Sequence, residues 1–334
     1  MTHSNSVMKS CPLIILSILA ALVAPAFTLA SDLVGWASVE AHGLKTTTGG
    51  GQTAPVTVTT LEELKRFLSD DAPQVVVVSG KVATGPKALE IRSNKTLMGA
   101  DKHATIHGGL SIRRASNIIV RNLNIQGAGV GNDPADAIAA RESHHLWFDH
   151  LNVWDSRDGN LDLTVGSDYL TVSWCKFWYS DASNDHRLSC LVGNGSTAGE
   201  TDMGKNRATY HHNWFADLVR ERMPRVLFGQ AHIFNNLYTC EGNNYCIGCG
   251  SFASVLIEGN YFKGVKNPHK FADGNHAFIT AKDNIYEATE GKQETGLGGT
   301  EGPNVEPFTQ PPYVYTADAV KDLPAIIMKG AGPQ

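Results

Sequence analysis

The chain is 334 residues long, with 42% hydrophobic residues, 33 glycines and a formal net charge of −5. That length suits a single elongated domain. The negative balance supplies no global basic field, so nucleic acid is excluded as a partner, and any attraction for an acidic ligand has to be local or metal-mediated.

Taken in chain order, the first element is a leader. Residues 1–30 carry one lysine, an apolar run from Leu13 to Val23, and small residues at Ala26 and Ala30. This pattern predicts a secretory signal peptide, too short in its apolar run to span a membrane, with cleavage after Ala30 as first choice and after Ala26 as second. The expected mature protein, residues 31–334, is a single secreted, extracellular domain with no further membrane-spanning candidate. Losing the lysine makes it one unit more negative.

Thr60-Leu61-Glu62-Glu63 is a capping box, and Leu61, Leu64 and Leu68 share one face of the helix it opens. Such a helix is suited to closing the N-terminal end of a sheet assembly, where unpaired strand edges invite aggregation. Short apolar runs ending in Asn-bearing or polar turns then recur: Asn117–Asn122, His145–His150, Tyr169–Trp174, Ala208–Asn213, Ala231–Asn236 and Ser254–Gly259. Their spacing, mostly in the mid-twenties, is that of a solenoid, and their Val, Ile, Thr and aromatic content makes each one a strand.

Between them lie Asp136–Ala139, Leu161–Gly166, Cys190–Gly193, Val226–Gly229 and Tyr245–Gly248, a second strand for each repeat. Two or more strands per turn predict an all-β parallel β-helix. Equivalent residues of successive coils are then about 4.8 Å apart. Toward the C-terminus, Ala317–Met328 reads as a covering segment and Gly291–Pro303 as a loop.

The stretch Val219–Val226 concentrates Arg220, Arg222 and Arg225 around Pro224, a guanidinium cluster suited to gripping carboxylates. Asp136, Asp162 and Arg222 all fall at or just before the start of a second-set strand, which predicts one column on one flank. Asp158-Gly159-Asn160-Leu161-Asp162 sets two carboxylates around a glycine turn, one coil after Asp136. Hard oxygen donors with neither His nor Cys among them suit Ca²⁺ better than zinc or copper, in an open site that a ligand carboxylate can complete.

Outside the leader five cysteines remain, an odd number that permits at most two disulfides, and Cys246-x-x-Cys249 reads as a structural bridge or a pair of buried thiols. Trp147, Trp154, Trp174, Trp178 and Trp214 are read as core residues before sugar-stacking ones. Strand alternation sends neighbouring side chains to opposite faces, so His144-His145 and His211-His212 read as polar turn residues rather than metal pairs.

From Gly35-Trp36-Ala37 through Asn94–Gly99, Leu146–His150, Asp158 to Asp162, Gly166–Ser173 and Arg222–Val226, the ordered motifs resemble the pectate lyases of polysaccharide lyase family 1. The resemblance spans nearly the whole mature chain. It implies a right-handed parallel β-helix that cleaves polygalacturonate by Ca²⁺-dependent β-elimination, acting as a monomer. Matched motif by motif, Asp136, Asp158 and Asp162 would hold Ca²⁺, Arg222 would take the proton from C5, and Arg225 would bind substrate.

Two departures stand out: Leu227 occupies the place of a second family arginine, and Leu188 that of a family lysine. Arg187 is the expected substitute for that lysine. A pectin lyase, acting on esterified polymer without the carboxylates, and a catalytically silent β-helix that binds acidic polysaccharide are the competing readings.

Overall fold

The computed structural model describes residues 1–2 and 33–334, so the signal peptide expected over residues 1–30 lies outside the described residues. From Val56 onward the chain winds through coils whose strands pair in parallel with those of the next coil. The recurrent runs all form strands. Ser116–Gln126 contains the first and His144–Trp154 the second, and these pair Leu146 with Ile118 and Phe148 with Val120.

The second set builds a separate eight-stranded sheet, one strand per coil. It comprises Leu89–Ile91, Leu110–Arg113, Ile138–Arg141, Gly159–Thr164, Leu188–Val192, Arg225–Leu227, Ile247–Gly250 and His269–Phe271.

A third set, including Thr105–His107, Lys176–Trp178, Trp214–Phe215 and Tyr261–Lys263, has no counterpart in the sequence reading. Strands of two or three residues are too short for alternation to be legible. In the coils of Ser116–Gln126 and His144–Trp154 the first and third sets are continuous, 11 residues long.

Two ladders tie the coils together. Inside, Phe177, Phe215, Tyr238, Phe262 and Tyr286 stack at centroid distances of 5.4, 5.0, 4.4 and 5.3 Å. At the bend, Asn213, Asn236, Asn260 and Asn284 are linked side chain to side chain: each Nδ2 of the first three donates to the next Oδ1 at 3.0 Å and to a main-chain carbonyl of the preceding strand set. The same Oδ1 also accepts the main-chain N–H of the preceding asparagine, so the buried amides are satisfied without water.

The predicted helix is Leu61–Leu68. Thr60 Oγ1 accepts from the Glu63 N–H at 3.2 Å, and Glu63 Oε2 accepts from the Thr60 N–H at 3.2 Å. Eight residues are marginal as an isolated helix, and the fully buried Leu64 and Leu68 hold it against the core.

The covering segment ends in a helix, Leu323–Gly330, whose Leu323 and Ile327 pack on Leu237 and beside Trp214 and Tyr261, so it lies along the coils. The expected loop 291–303 contains a short strand, Gly296–Gly298, antiparallel to Ala277–Lys282. Pairing at that edge uses main chain alone, so no β-former composition announces it.

The two histidine pairs depart from simple alternation. Their Nδ1 atoms meet at 2.9 Å in each pair, because His145 and His212 adopt φ of 54° and 56° and turn the strand face. All five cysteines are free and buried, so the structure has buried thiols where a bridge was one alternative.

Candidate active site

The eight-stranded sheet carries the acidic and basic residues. Leu161 and Leu163 point into the core, and Asp162 between them faces outward. The ladder sets Asp162 level with Ala139 on one coil and Leu191 on the next, and the same row continues through Arg225, Gly248 and Lys270. Asp136 stands two residues before its strand, where its Oδ1 accepts the Gly159 N–H at 3.1 Å. The Asp158 N–H donates to the Ala135 carbonyl at 2.9 Å, which places Asp136 and Asp158 on adjacent coils at the strand entrance.

Gly159 makes the group possible. A Cβ there would stand 2.2 Å from Asp162 Oδ1, so only glycine lets that carboxylate lie back over the turn.

Arg222 does not share the row of Asp162. It stands in the turn three residues before Arg225–Leu227, with φ 63°, and its carbonyl accepts the Cys190 N–H at 2.6 Å. The expected single column is therefore two levels: Asp136 and Asp158 at the strand entrance, Asp162 and Arg225 within the sheet. Arg222 bridges them, with Nη1 4.0 Å from Asp162 Oδ2.

Burial raises the Asp162 carboxyl well above its ordinary range, Asp136 pushes it further, and the Arg222 guanidinium pulls it back. Burial likewise raises Asp136, with Asp158 adding to the shift, while the Gly159 N–H, Arg141 and Arg222 oppose it. Carboxylates that disfavour one another's charge are the donor set a hard divalent cation satisfies. Among the described residues, however, no three acidic, imidazole or thiol groups are gathered tightly enough to enclose a metal by themselves. Any cation held by Asp136, Asp158 and Asp162 would have to draw the rest of its donors from outside the chain.

Leu188 pairs with Gly159 and is buried, so the place matching the family lysine is apolar. Arg187 does not fill it: Nε donates to the Leu218 carbonyl and Nη1 to those of Ala182 and Asn184, bracing the loop. His186 reaches the acidic group instead, its Nε2 3.0 Å from Asp158 Oδ1. No sequence motif marks His186; its approach to Asp158 depends on the loop path.

Arg225 has a buried Nε without a partner among the described residues. Beside it lies Tyr245, whose ring occupies space left by Gly248: a Cβ at 248 would be 3.0 Å from Tyr245 Cε2. Burial, with help from Glu221, pushes the Tyr245 hydroxyl up to about 12, and Lys270 Nζ stands 5.2 Å from its ring centre. Leu227 is fully buried and brings no charge. None of the five tryptophans lies on this sheet.

A family model described as pectate lyase matches residues 8–323. The chain belongs to the pectate lyase family. Among curated pectate lyases it is 33% identical over 330 residues to a pectate trisaccharide-lyase of Thermotoga maritima, covering 90% of this chain and 88% of that protein. It is 36% identical over 259 residues to pectate lyase A of Emericella nidulans, covering 73% and 75%. The fold is that of a pectate lyase from a Bacillus species solved in complex with trigalacturonate, with a TM-score of 0.73 at 22% identity over 90% of this chain and 98% of that one. Pectate lyases are carbon–oxygen lyases acting on polysaccharides, and this chain is one of them.

Proposed function

We propose that this pectate lyase cleaves (1,4)-linked α-galacturonan, as polygalacturonate, by Ca²⁺-dependent β-elimination, and that it is secreted and acts as a monomer. The observation that carries the reading is the approach of Arg222 to Asp162 beside Asp136 and Asp158, an arginine poised over an open acidic site.

Asp136, Asp158 and Asp162 would hold Ca²⁺. The bound ion supplies positive charge to the substrate carboxylate and so acidifies the adjacent C5–H. Arg222, after giving one guanidinium proton to solvent, takes the C5 proton; the C–H electron pair becomes the C4–C5 double bond as the bond from C4 to the glycosidic oxygen breaks, and water protonates the departing oxygen. Arg225 binds the substrate carboxylate and offsets the charge that develops in the transition state. Asp162, held beside Arg222, orients that side chain toward the acidic site.

The test is ultraviolet absorbance of the unsaturated product on polygalacturonate, with and without a calcium chelator. Product formation abolished by chelation and restored by Ca²⁺ is expected. Chelator-insensitive turnover, or equal turnover on fully esterified pectin, would favour a pectin lyase. Binding without turnover would make the chain a silent polysaccharide binder.

A further inference from the structure

The strand ends of the eight-stranded sheet form a second outward row, two residues beyond that of Asp162. It begins with Arg113 and Arg141, directly paired on neighbouring coils, and passes to Thr164. Continuing the register past Val192 and Val226 brings it to Gly193 and Leu227.

Both arginines are exposed, and among the described residues neither forms an ion pair or a hydrogen bond through its guanidinium, whereas the adjacent Arg114 is paired with Glu142 at 2.9 Å. Two unpaired guanidinium groups on adjacent rungs repel one another, and an anion between them relieves that repulsion. They flank a cavity of about 260 Å³ whose lining includes Ser111, Ala139 and Asp136. The small side chains of Ser111 and Ala139 leave room for a ligand between the arginines, and Asp136 joins the cavity to the acidic site.

We infer that Arg113 and Arg141 form a carboxylate-binding subsite, taking a second uronate of the polymer that lies across Asp136 from Arg222. This rests on the function proposed above and extends it to chain-length and charge specificity. A planar fork accepts a carboxylate bidentately, and two forks on successive coils admit it from either side. A neutral methyl ester offers neither charge nor the second acceptor oxygen.

The experiment compares the wild type with Arg113→Gln, Arg141→Gln and the double variant, using oligogalacturonates of increasing length and polymers of increasing methyl esterification at fixed Ca²⁺. Thermal melts should coincide, since both side chains are exposed. For the double variant on long unesterified chains, KM is expected to rise about tenfold while kcat falls less than about threefold. The rise should shrink on the shortest cleavable oligomer and on esterified polymer.

An unchanged KM on long chains, or an equal rise on short or esterified substrates, would overturn the subsite. If the wild type itself releases no unsaturated product, the catalytic reading fails separately. Calorimetric titration of the same oligomers then decides the subsite: weaker binding of long chains by the double variant supports it, and equal affinity overturns it.

Discussion

Arg222 occupies a left-handed backbone position at φ 63°, a conformation that disfavours L side chains by about 1 kcal/mol, and its carbonyl is engaged by the Cys190 N–H. The main chain is thus fixed by the neighbouring coil while the guanidinium is aimed at Asp162. Lysine would keep the charge but not the planar reach. Arg222→Lys, with unchanged circular dichroism and melting, is expected to lower turnover at saturating Ca²⁺ by at least about a hundredfold. Retention of a tenth of the activity would remove Arg222 as the base.

For Asp162, replacement by Asn keeps shape and removes charge. Half-saturating Ca²⁺ should rise by at least about tenfold, together with a fall in turnover, and unchanged Ca²⁺ dependence would exclude it as a ligand. Gly159→Ala tests the same carboxylate indirectly. A methyl group 2.2 Å from Asp162 Oδ1 must displace it, so the Ca²⁺ requirement should rise even though no ligand has been removed.

At the scale of elements, coil order depends on ladders that are each satisfied from the next turn. Asn236 Nδ2 donates to Asn260 Oδ1 and to the Tyr210 carbonyl, and its Oδ1 accepts from both the main chain and side chain of Asn213. Asn236→Ala therefore strands two buried donors of Asn213, its main-chain N–H and one Nδ2 proton, and leaves Asn260 Oδ1 with only the main-chain N–H of residue 236. A loss of about 2–4 kcal/mol is expected in denaturant unfolding, larger than for an isolated hydrogen bond because several partners are orphaned. A loss below about 1 kcal/mol would mean the ladder is replaced by water or by a local shift. The eight-stranded sheet is simpler: core residues such as Leu161 and Leu163 alternate with outward ones such as Asp162.

Across the whole molecule, the C-terminal segment is fastened to the coils through Glu258, which accepts hydrogen bonds from His232 at 2.9 Å, Lys282 at 2.6 Å and Tyr315. Burial alone would raise this carboxyl; the bonds from His232, Lys282 and Tyr315 prevail and hold it at about 2. Burial lowers His232 from its ordinary value near 6.5, with Glu258 opposing the shift. Both groups have depressed folded values, so both contribute stability that is lost on acidification: His232 as pH falls below 6.5, and Glu258 as it falls from 4.5 through about 2. Melting curves of wild type and Glu258→Gln should be well separated at neutral pH and converge toward pH 2–3. Parallel curves across that range would show that Glu258 does not fasten the segment.

Much of this was legible in the amino-acid order. The period and composition of runs such as Tyr169–Trp174 determined the strands and the Thr60–Glu63 box determined the helix start, because these signals are local; the Asp158–Asp162 turn and the Arg222–Arg225 stretch were legible as two separate groups of candidate residues. The third strand of each coil was hidden, being too short to display a period.

Register was decided only by the tertiary structure. Loops of unequal length separate the coils, so the level of Asp162 with Leu191 and Arg225, and the pairing of Arg113 with Arg141, follow from accumulated turns that no spacing rule sums. Side-chain direction was likewise tertiary: Arg187 turned to main-chain carbonyls and His186 to Asp158, a choice made by the path of the loop between them and the neighbouring coil.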